Sequence, residues 1–136
     1  MLNLPCTIIY IAAKFINFSI CLLVITQHPA NDTFCQGSNA VLSCVIFSNS
    51  TNNAADTTNW FNYNTRAGVP HTMINNTRDG DIVTSVLTIE SVSLNDNGTG
   101  YFCVPSFPIA SYVGMISVAG EYEHYVHVLC ILSQLW

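Results

Sequence analysis

The sequence predicts an all-β fold, and two segments carry most of that prediction. Residues 40–47 and residues 83–89 each have the period of two that is typical of a strand with one face toward a core. Turn signals precede both segments, at Gly37-Ser38-Asn39 and at Asp79-Gly80. The chain has 136 residues and no internal repeat, which suits one domain of ordinary size. We therefore predict a single all-β domain.

Four residues give the chain a resemblance to a known family. Cys44, Trp60, Tyr101 and Cys103 follow one another in that order and at suitable separations. This arrangement resembles immunoglobulin superfamily domains of the V-set or I-set type, over residues 31–129. The resemblance implies a Greek-key β-sandwich of two antiparallel sheets with seven or eight strands. It also implies a Cys44–Cys103 disulfide, with Trp60 packed on it and Tyr101 in the core.

The predicted strands follow the family's order along the chain. Strand E places Leu87 and Ile89 in the core. Residues 48–59 contain no large apolar side chain and are predicted to form a long B–C loop. The predicted strands are A (33–35), B (40–47), C (59–63), a short C′ (71–74), E (83–89), F (99–104) and G (121–129).

The first 26 residues are strongly apolar and are predicted to be a leader. The run from Phe15 to Ile25 has the length of the hydrophobic region of a signal peptide. The alternative is an uncleaved signal anchor that spans Leu2 to Ile25. Both alternatives export the domain, as a secreted or a cell-surface protein. Residues 130–136 are predicted to be a C-terminal tail, too short for a stable membrane span.

The charge of the chain excludes nucleic acid as a partner. Only 8% of the residues are charged, and three basic residues stand against eight acidic ones, for a net charge of −5. A surface with so few cations cannot neutralise a run of phosphates. Anionic membrane surfaces are poor partners for the same reason.

Cysteines and glycosylation motifs support export. Removal of the leader leaves Cys35, Cys44, Cys103 and Cys130, an even number suited to an oxidising compartment. We predict a second disulfide between Cys35 and Cys130, because strand A′ runs beside strand G in variable-type domains of the family; the rival is an intermolecular bond through Cys130. Four Asn-x-Thr motifs begin at Asn31, Asn49, Asn75 and Asn97.

No motif in the chain indicates catalysis, a metal or a cofactor. Glu121, Glu123, His124 and His127 lie close in sequence, but the period of a strand directs His124 away from the other three. A nucleophile elbow, a zinc-binding helix motif and a phosphate-binding glycine loop are all missing from the sequence. We therefore predict a non-enzyme without a cofactor.

The resemblance also suggests that one ion pair could form. The family usually carries an Asp at the position of Asn97, paired with an Arg on strand D. Asp96 stands one residue earlier, so a pair between Arg78 and Asp96 is considered.

The outer face of the G–F–C sheet is the first candidate site. Because Trp60, Tyr101 and Cys103 face inward, the pleat directs their neighbours outward. A contiguous apolar patch of this kind usually marks an interface, unless a C′ strand, a loop or the tail covers it. The outward set, without a Lys or Arg in it, is Phe61, Tyr63, Phe102, Val104 and Tyr125.

The loop end of the sandwich is the second candidate site. The B–C loop lies there with the loop from Pro105 to Gly114, which exposes Phe107 and Tyr112. Either site suits an extracellular recognition or adhesion module that binds a protein ligand, including an immunoglobulin-like partner of the same or another kind. Alternatives are a small secreted disulfide-stabilised effector or inhibitor, and a truncated ectodomain of a membrane receptor.

Overall fold

The computed structural model describes residues 22–49 and 53–120, whose strands form two sheets packed face to face. The first sheet has the order β1-β3-β6-β5 and the second the order β2-β8-β7-β4. Neighbouring strands are antiparallel except β2 and β8, which are parallel. The predicted all-β sandwich is therefore confirmed. The strands are β1 (Leu23–Gln27), β2 (Asp32–Cys35), β3 (Ala40–Ser48), β4 (Asn59–Asn62), β5 (Ile74–Asp79), β6 (Ile82–Ile89), β7 (Thr99–Val104) and β8 (Gly114–Ala119).

The core lies between the sheets and is crossed by one disulfide. Cys44 of β3 is bonded to Cys103 of β7, with 6.6 Å between their Cα atoms. Trp60 lies opposite Cys103 in the β4–β7 register and is fully buried. Closing a loop of this length stabilises the fold by about 4 kcal/mol in the chain-entropy estimate. The predicted core residues Leu87, Ile89 and Tyr101 are also buried.

An additional strand, β1, begins inside the segment assigned to the leader. Leu23–Gln27 pairs antiparallel with β3, with Leu23 opposite Ser48 and Ile25 opposite Ile46. Leu23 is buried and Ile25 packs against the core, so this strand extends the first sheet. The prediction treated these residues as part of a continuous apolar run. The structure gives Leu23–Gln27 to the sandwich instead.

Strand G lies earlier in the chain than predicted. Gly114–Ala119 forms β8, which pairs with β7 on one side and with β2 on the other. Gly114, Ile116 and Val118 face the core. Because β8 occupies the position of strand G between β7 and β2, the assignment of strand G to residues 121–129 was wrong. Residues 121–129 themselves lie outside the described residues. The loop between β7 and β8 is therefore shorter than predicted, and β8 returns to pair with β7.

The segment after β4 contains no C′ strand of the kind predicted. His71–Met73 is a 3-10 turn, and Ile74 already belongs to β5, which pairs with β6 in the first sheet. The predicted strand at 71–74 was therefore wrong. The tight turn after Asp79 holds β5 against β6. A single bridge between Phe61 and Gly68 closes the free edge of β4.

Candidate functional site

The outer face of the second sheet carries a pair of stacked aromatic rings. Phe61 of β4 lies opposite Phe102 of β7, and their ring centroids are 5.7 Å apart with an angle of 20° between the planes. Both side chains point away from the core because their neighbours Trp60 and Cys103 are buried. Both rings are only partly covered. We call this surface the second-sheet face.

A groove runs from this aromatic pair to the loop end of the sandwich. Its volume is about 350 Å³, and none of its lining residues is charged. Phe107 closes one side of the groove and is 88% exposed. The two predicted candidate sites, the sheet face and the loop end, therefore share one groove. Its lining residues are Thr57, Asn59, Phe61, Phe102, Val104, Pro105, Ser106 and Phe107.

A tight turn presents Phe107 beside the groove. The backbone N–H of Ile109 donates a hydrogen bond to the carbonyl of Ser106, 2.7 Å away, and the same two residues form an isolated bridge. This turn places Phe107 at its tip. Exposed aromatic side chains of this kind are the usual anchors of protein interfaces.

Tyr63 extends the second-sheet face but is partly capped by a cation. The guanidinium carbon of Arg66 lies 4.4 Å from the centroid of the Tyr63 ring. Arg66 has a positive φ of 62° and its N–H bonds to the carbonyl of Asn62, which turns the side chain back over the ring. Such a contact contributes about 0.5–1 kcal/mol at an exposed site. The face was predicted to contain no Lys or Arg, and the structure places Arg66 at its border.

A glycine lets two further apolar side chains lie on this face. A Cβ atom built on Gly100 would lie 2.6 Å from Val113 Cγ1 and 2.8 Å from Met115 Sδ. A side chain at Gly100 would require Val113 and Met115 to move, and these two side chains cover the Gly100 backbone instead. Sequence reasoning missed Val113 and Met115 because it placed strand G too late. The alternation of Gly114, Ile116 and Val118 was the signal that identifies them.

The wall of the groove on the B–C side is held by strand β5. Arg78 Nε donates to Asp56 Oδ1 at 2.6 Å, and its Nη1 donates to the carbonyl of Ser48 at 2.9 Å. Asn76 Nδ2 donates to the carbonyls of Asp56 and Thr58. These bonds fix the 3-10 turn Ala54–Thr57, from which Thr57 reaches the groove.

The ion pair considered between Arg78 and Asp96 does not form. Arg78 lies near the turn that joins β5 to β6, whereas Asp96 belongs to the corner that follows β6 at the opposite end. Asp96 Oδ2 instead accepts the N–H of Ser93 at 2.7 Å in a capping box. Asn97 Oδ1 accepts the N–H of Val118 in β8 at 2.9 Å.

Tyr112 lies apart from the groove. Its ring stacks on His28, with centroids 4.3 Å apart, and its backbone N–H donates to His28 Nδ1 at 3.0 Å. Of the two aromatic residues predicted at the loop end, the groove thus contains Phe107 alone. Tyr125, predicted on the second-sheet face, lies outside the described residues.

Comparison with protein families agrees with this geometry. The family model for the immunoglobulin domain matches residues 31–113. The chain belongs to the immunoglobulin family. No curated protein sequence is similar enough to this immunoglobulin domain to count as a match.

Solved structures with the same fold include domains of titin, Dpr1 and DIP-gamma. I81 from titin is 19% identical with a TM-score of 0.50, over 71% of this chain and 96% of that one. Dpr1 IG1, solved bound to DIP-eta IG1, is 18% identical with a TM-score of 0.53, over 75% and 100%. DIP-gamma IG1+IG2 is 22% identical with a TM-score of 0.53, over 72% and 49%, so this chain spans about half of that fragment.

Tyr101 has a structural role in this immunoglobulin domain. Burial, followed by the negative charge of Asp96, raises the pKa of its phenol, and a hydrogen bond with the Asn62 side chain lowers it by less. The neutral phenol is therefore the form that the fold retains. Tyr101 faces the core and takes no part in the groove.

The remaining predicted site residues lie at the edges of the domain or beyond the described residues. Cys35, at the end of β2, is disulfide-bonded. Residues 22–49 and 53–120 contain no group of side chains able to hold a metal ion. Helices in the same two ranges are single 3-10 turns, and none is long or apolar enough to cross a membrane. The residues outside the description are Glu121, Glu123, His124, His127 and Cys130.

Proposed function

We propose that this immunoglobulin domain is an extracellular recognition or adhesion module that binds an immunoglobulin-like protein through its second-sheet face. The observation that carries the proposal is the uncharged groove between the Phe61–Phe102 pair and Phe107. A stable interface covers about 800 Å² on each partner, so the face around the groove takes part as well. An apolar side chain of the partner fills the groove.

The charge of the face supports a partner of the same fold, including a second copy. Arg66 lies at the border, over the Tyr63 ring, and none of the residues that line the groove is charged. Two copies therefore meet without like-charge repulsion at the groove, although the whole chain has a net charge of −5. The similar domain Dpr1 IG1 was solved bound to another immunoglobulin domain, DIP-eta IG1.

Export of the domain is supported by its disulfides. Structural disulfides persist in oxidising compartments, and both Cys35 and the Cys44–Cys103 pair are oxidised here. Because Leu23 belongs to β1, we propose that the leader ends before it. Ser19 and Cys21 are small residues at the spacing that signal peptidase prefers, ahead of Leu22. N-terminal sequencing of exported protein that began after Thr26 would contradict this boundary, since β1 would be lost.

We propose no enzymatic activity. The groove has hydroxyl and amide groups from Thr57, Ser106 and Asn59, but neither a carboxylate nor an imidazole lines it. General acid–base catalysis needs such a group within hydrogen-bond reach of the substrate. The groove suits recognition of an apolar surface.

A double substitution on the face tests the proposal. Phe61→Ser with Phe102→Ser removes the aromatic pair, while Val41→Ser changes an apolar residue that is 50% exposed on the other sheet. Wild type and variants are compared by sedimentation, for pairing of two copies, and by pairwise binding to a panel of extracellular immunoglobulin-like domains. We expect the double variant to be exported with its disulfides and to lose every interaction that wild type and Val41→Ser retain. Binding that survives in the double variant contradicts the proposal.

A further inference from the structure

The outer face of the first sheet is also apolar, and nothing in the proposed function uses it. Val24, Val41 and Ile82 are 45%, 50% and 39% exposed. Val24 lies opposite Phe47, and Phe47 lies opposite Ile82, so Val24, Phe47 and Ile82 form one row across β1, β3 and β6. Val41 lies farther along β3 on the same face, opposite Thr88. We call this surface the first-sheet face. An apolar surface of this kind promotes association unless something covers it.

A glycosylation motif lies on the same face. Asn75 of β5 is exposed and lies opposite Val86 of β6, and Thr77 lies opposite Thr84. Asn75 and Thr77 both point outward, because the burial of β5 alternates and Ile74 packs against the core. Cross-strand neighbours on one face have Cβ atoms about 5 Å apart. A sugar on Asn75 Nδ2 therefore begins beside Val86.

The other motifs within the described residues are placed differently. Asn31 Oδ1 accepts the N–H of Met115, and Asn97 Oδ1 accepts the N–H of Val118, both at 2.9 Å. Both of these asparagines are thus tied to β8 in the second sheet. The motif at Asn49 includes residues outside the described part of the chain. Asn75 is the described motif asparagine that projects from the first-sheet face.

We propose that an N-linked glycan on Asn75 covers the first-sheet face and leaves the second-sheet face free for a partner. Such a glycan is bulky and hydrophilic, so it shields the row of apolar side chains from other molecules. Asn75 also lies on β5, which is an edge strand of the first sheet. Exposed edges pair with edges of other chains unless they are blocked, and the glycan blocks this one. The inference rests on the export proposed above.

Three variants at one motif test this assignment. Asn75→Gln and Thr77→Ala each destroy the motif at a different residue, whereas Thr77→Ser retains it. Each chain is exported from cultured cells with a secretory pathway, mapped by glycopeptide mass spectrometry and examined by light scattering. We expect wild type and Thr77→Ser to carry the glycan and stay monodisperse. Asn75→Gln and Thr77→Ala should show a several-fold rise in aggregated material.

A fourth variant separates shielding from assistance with folding. Ile82→Lys places a cation on the first-sheet face opposite Asp79. Added to Asn75→Gln, it should return the aggregated fraction to the wild-type level, because a charge now breaks the apolar row. If Ile82→Lys does not lower the aggregated fraction of Asn75→Gln, shielding is overturned as the role of the glycan.

The failure of this inference is distinguishable from failure of the proposed function. Exported protein that carries glycans at other motifs but none on Asn75 overturns the inference and leaves the recognition function standing. If the Asn75→Gln variant stays monodisperse, the inference is likewise overturned and the recognition function still stands. A chain that is never exported overturns both.

Discussion

The hydrogen bond between Trp60 and Ser85 is the contact whose removal has the most predictable cost. Trp60 Nε1 donates to Ser85 Oγ at 2.8 Å, and both residues are fully buried. Ser85→Ala leaves the indole N–H without an acceptor in the core. A buried donor stranded in this way costs about 1–3 kcal/mol. The substitution should therefore remove a sizeable part of a stability that is typically about 5–15 kcal/mol.

A neighbouring serine provides the control. Ser43 of β3 faces outward in the same sheet, so Ser43→Ala should change the free energy of unfolding by less than about 0.5 kcal/mol. Urea unfolding followed by circular dichroism, with the disulfides intact, measures both variants. At about 4–8 °C for each kcal/mol, the melting temperature of Ser85→Ala should fall by roughly 8–16 °C for a loss of ~2 kcal/mol.

A double-mutant cycle removes the remaining ambiguity. In a Trp60→Phe background, Ser85→Ala should be close to neutral, because the donor that it strands is no longer present. Equal costs for Ser85→Ala and Ser43→Ala would refute the reasoning, and so would a cycle without coupling. Either result would mean that Trp60 does not face Ser85, and the outward direction of Phe61 would lose its basis.

Three further predictions concern the edges and the corner of the domain. Gly114→Ala places a Cβ atom 2.8 Å from Pro29 Cβ and should cost about 1–3 kcal/mol; an unchanged melting temperature would contradict this packing. Because burial raises the pKa of Tyr101, the neutral phenol stabilises the fold below pH ~10, and this contribution should be lost as the pH rises through the folded-state pKa. Urea midpoints from pH 8 upward, compared with those of Tyr101→Phe, measure that loss, and equal pH profiles would rule it out. We expect mass spectrometry of unreduced peptides to find Cys35 linked to Cys130 of the same chain; a Cys130 peptide linked to its own copy would favour the intermolecular alternative.

The strands that the sequence predicts well are those with one buried face and clear turns around them. Strands β3 and β6 are of this kind, and their period of two determined which side chains enter the core. Strand β8 was not predictable in the same way, because residues 121–129 alternate just as clearly. The choice depends on which segment reaches both Tyr101 of β7 and Asp32 of β2, and that is information from distant parts of the chain.

The site was predictable in part for a related reason. Once Trp60 and Cys103 are buried, the pleat alone directs Phe61 and Phe102 outward. The groove needs more than the pleat, because the turn at Ser106–Ile109 must carry Phe107 beside the sheet. Local alternation contains no information about a loop of this kind.

The partner of Arg66 was beyond sequence reasoning as well. Its guanidinium reaches the Tyr63 ring through a left-handed backbone conformation, with φ of 62°. Left-handed φ values are uncommon for residues other than glycine, and neither composition nor periodicity predicts them.

The most direct test of the proposed interface is the replacement of Phe107. Its side chain is 88% exposed, so Phe107→Ala should leave the urea midpoint unchanged. Tyr112→Ala is the matched control, since Tyr112 is 76% exposed in the same loop but lies outside the groove. We predict that Phe107→Ala weakens binding to the immunoglobulin-like partner at least ~10-fold, about 1.4 kcal/mol, while Tyr112→Ala stays within about 2-fold of wild type. Wild-type affinity in Phe107→Ala would contradict the assignment of the groove as the binding site.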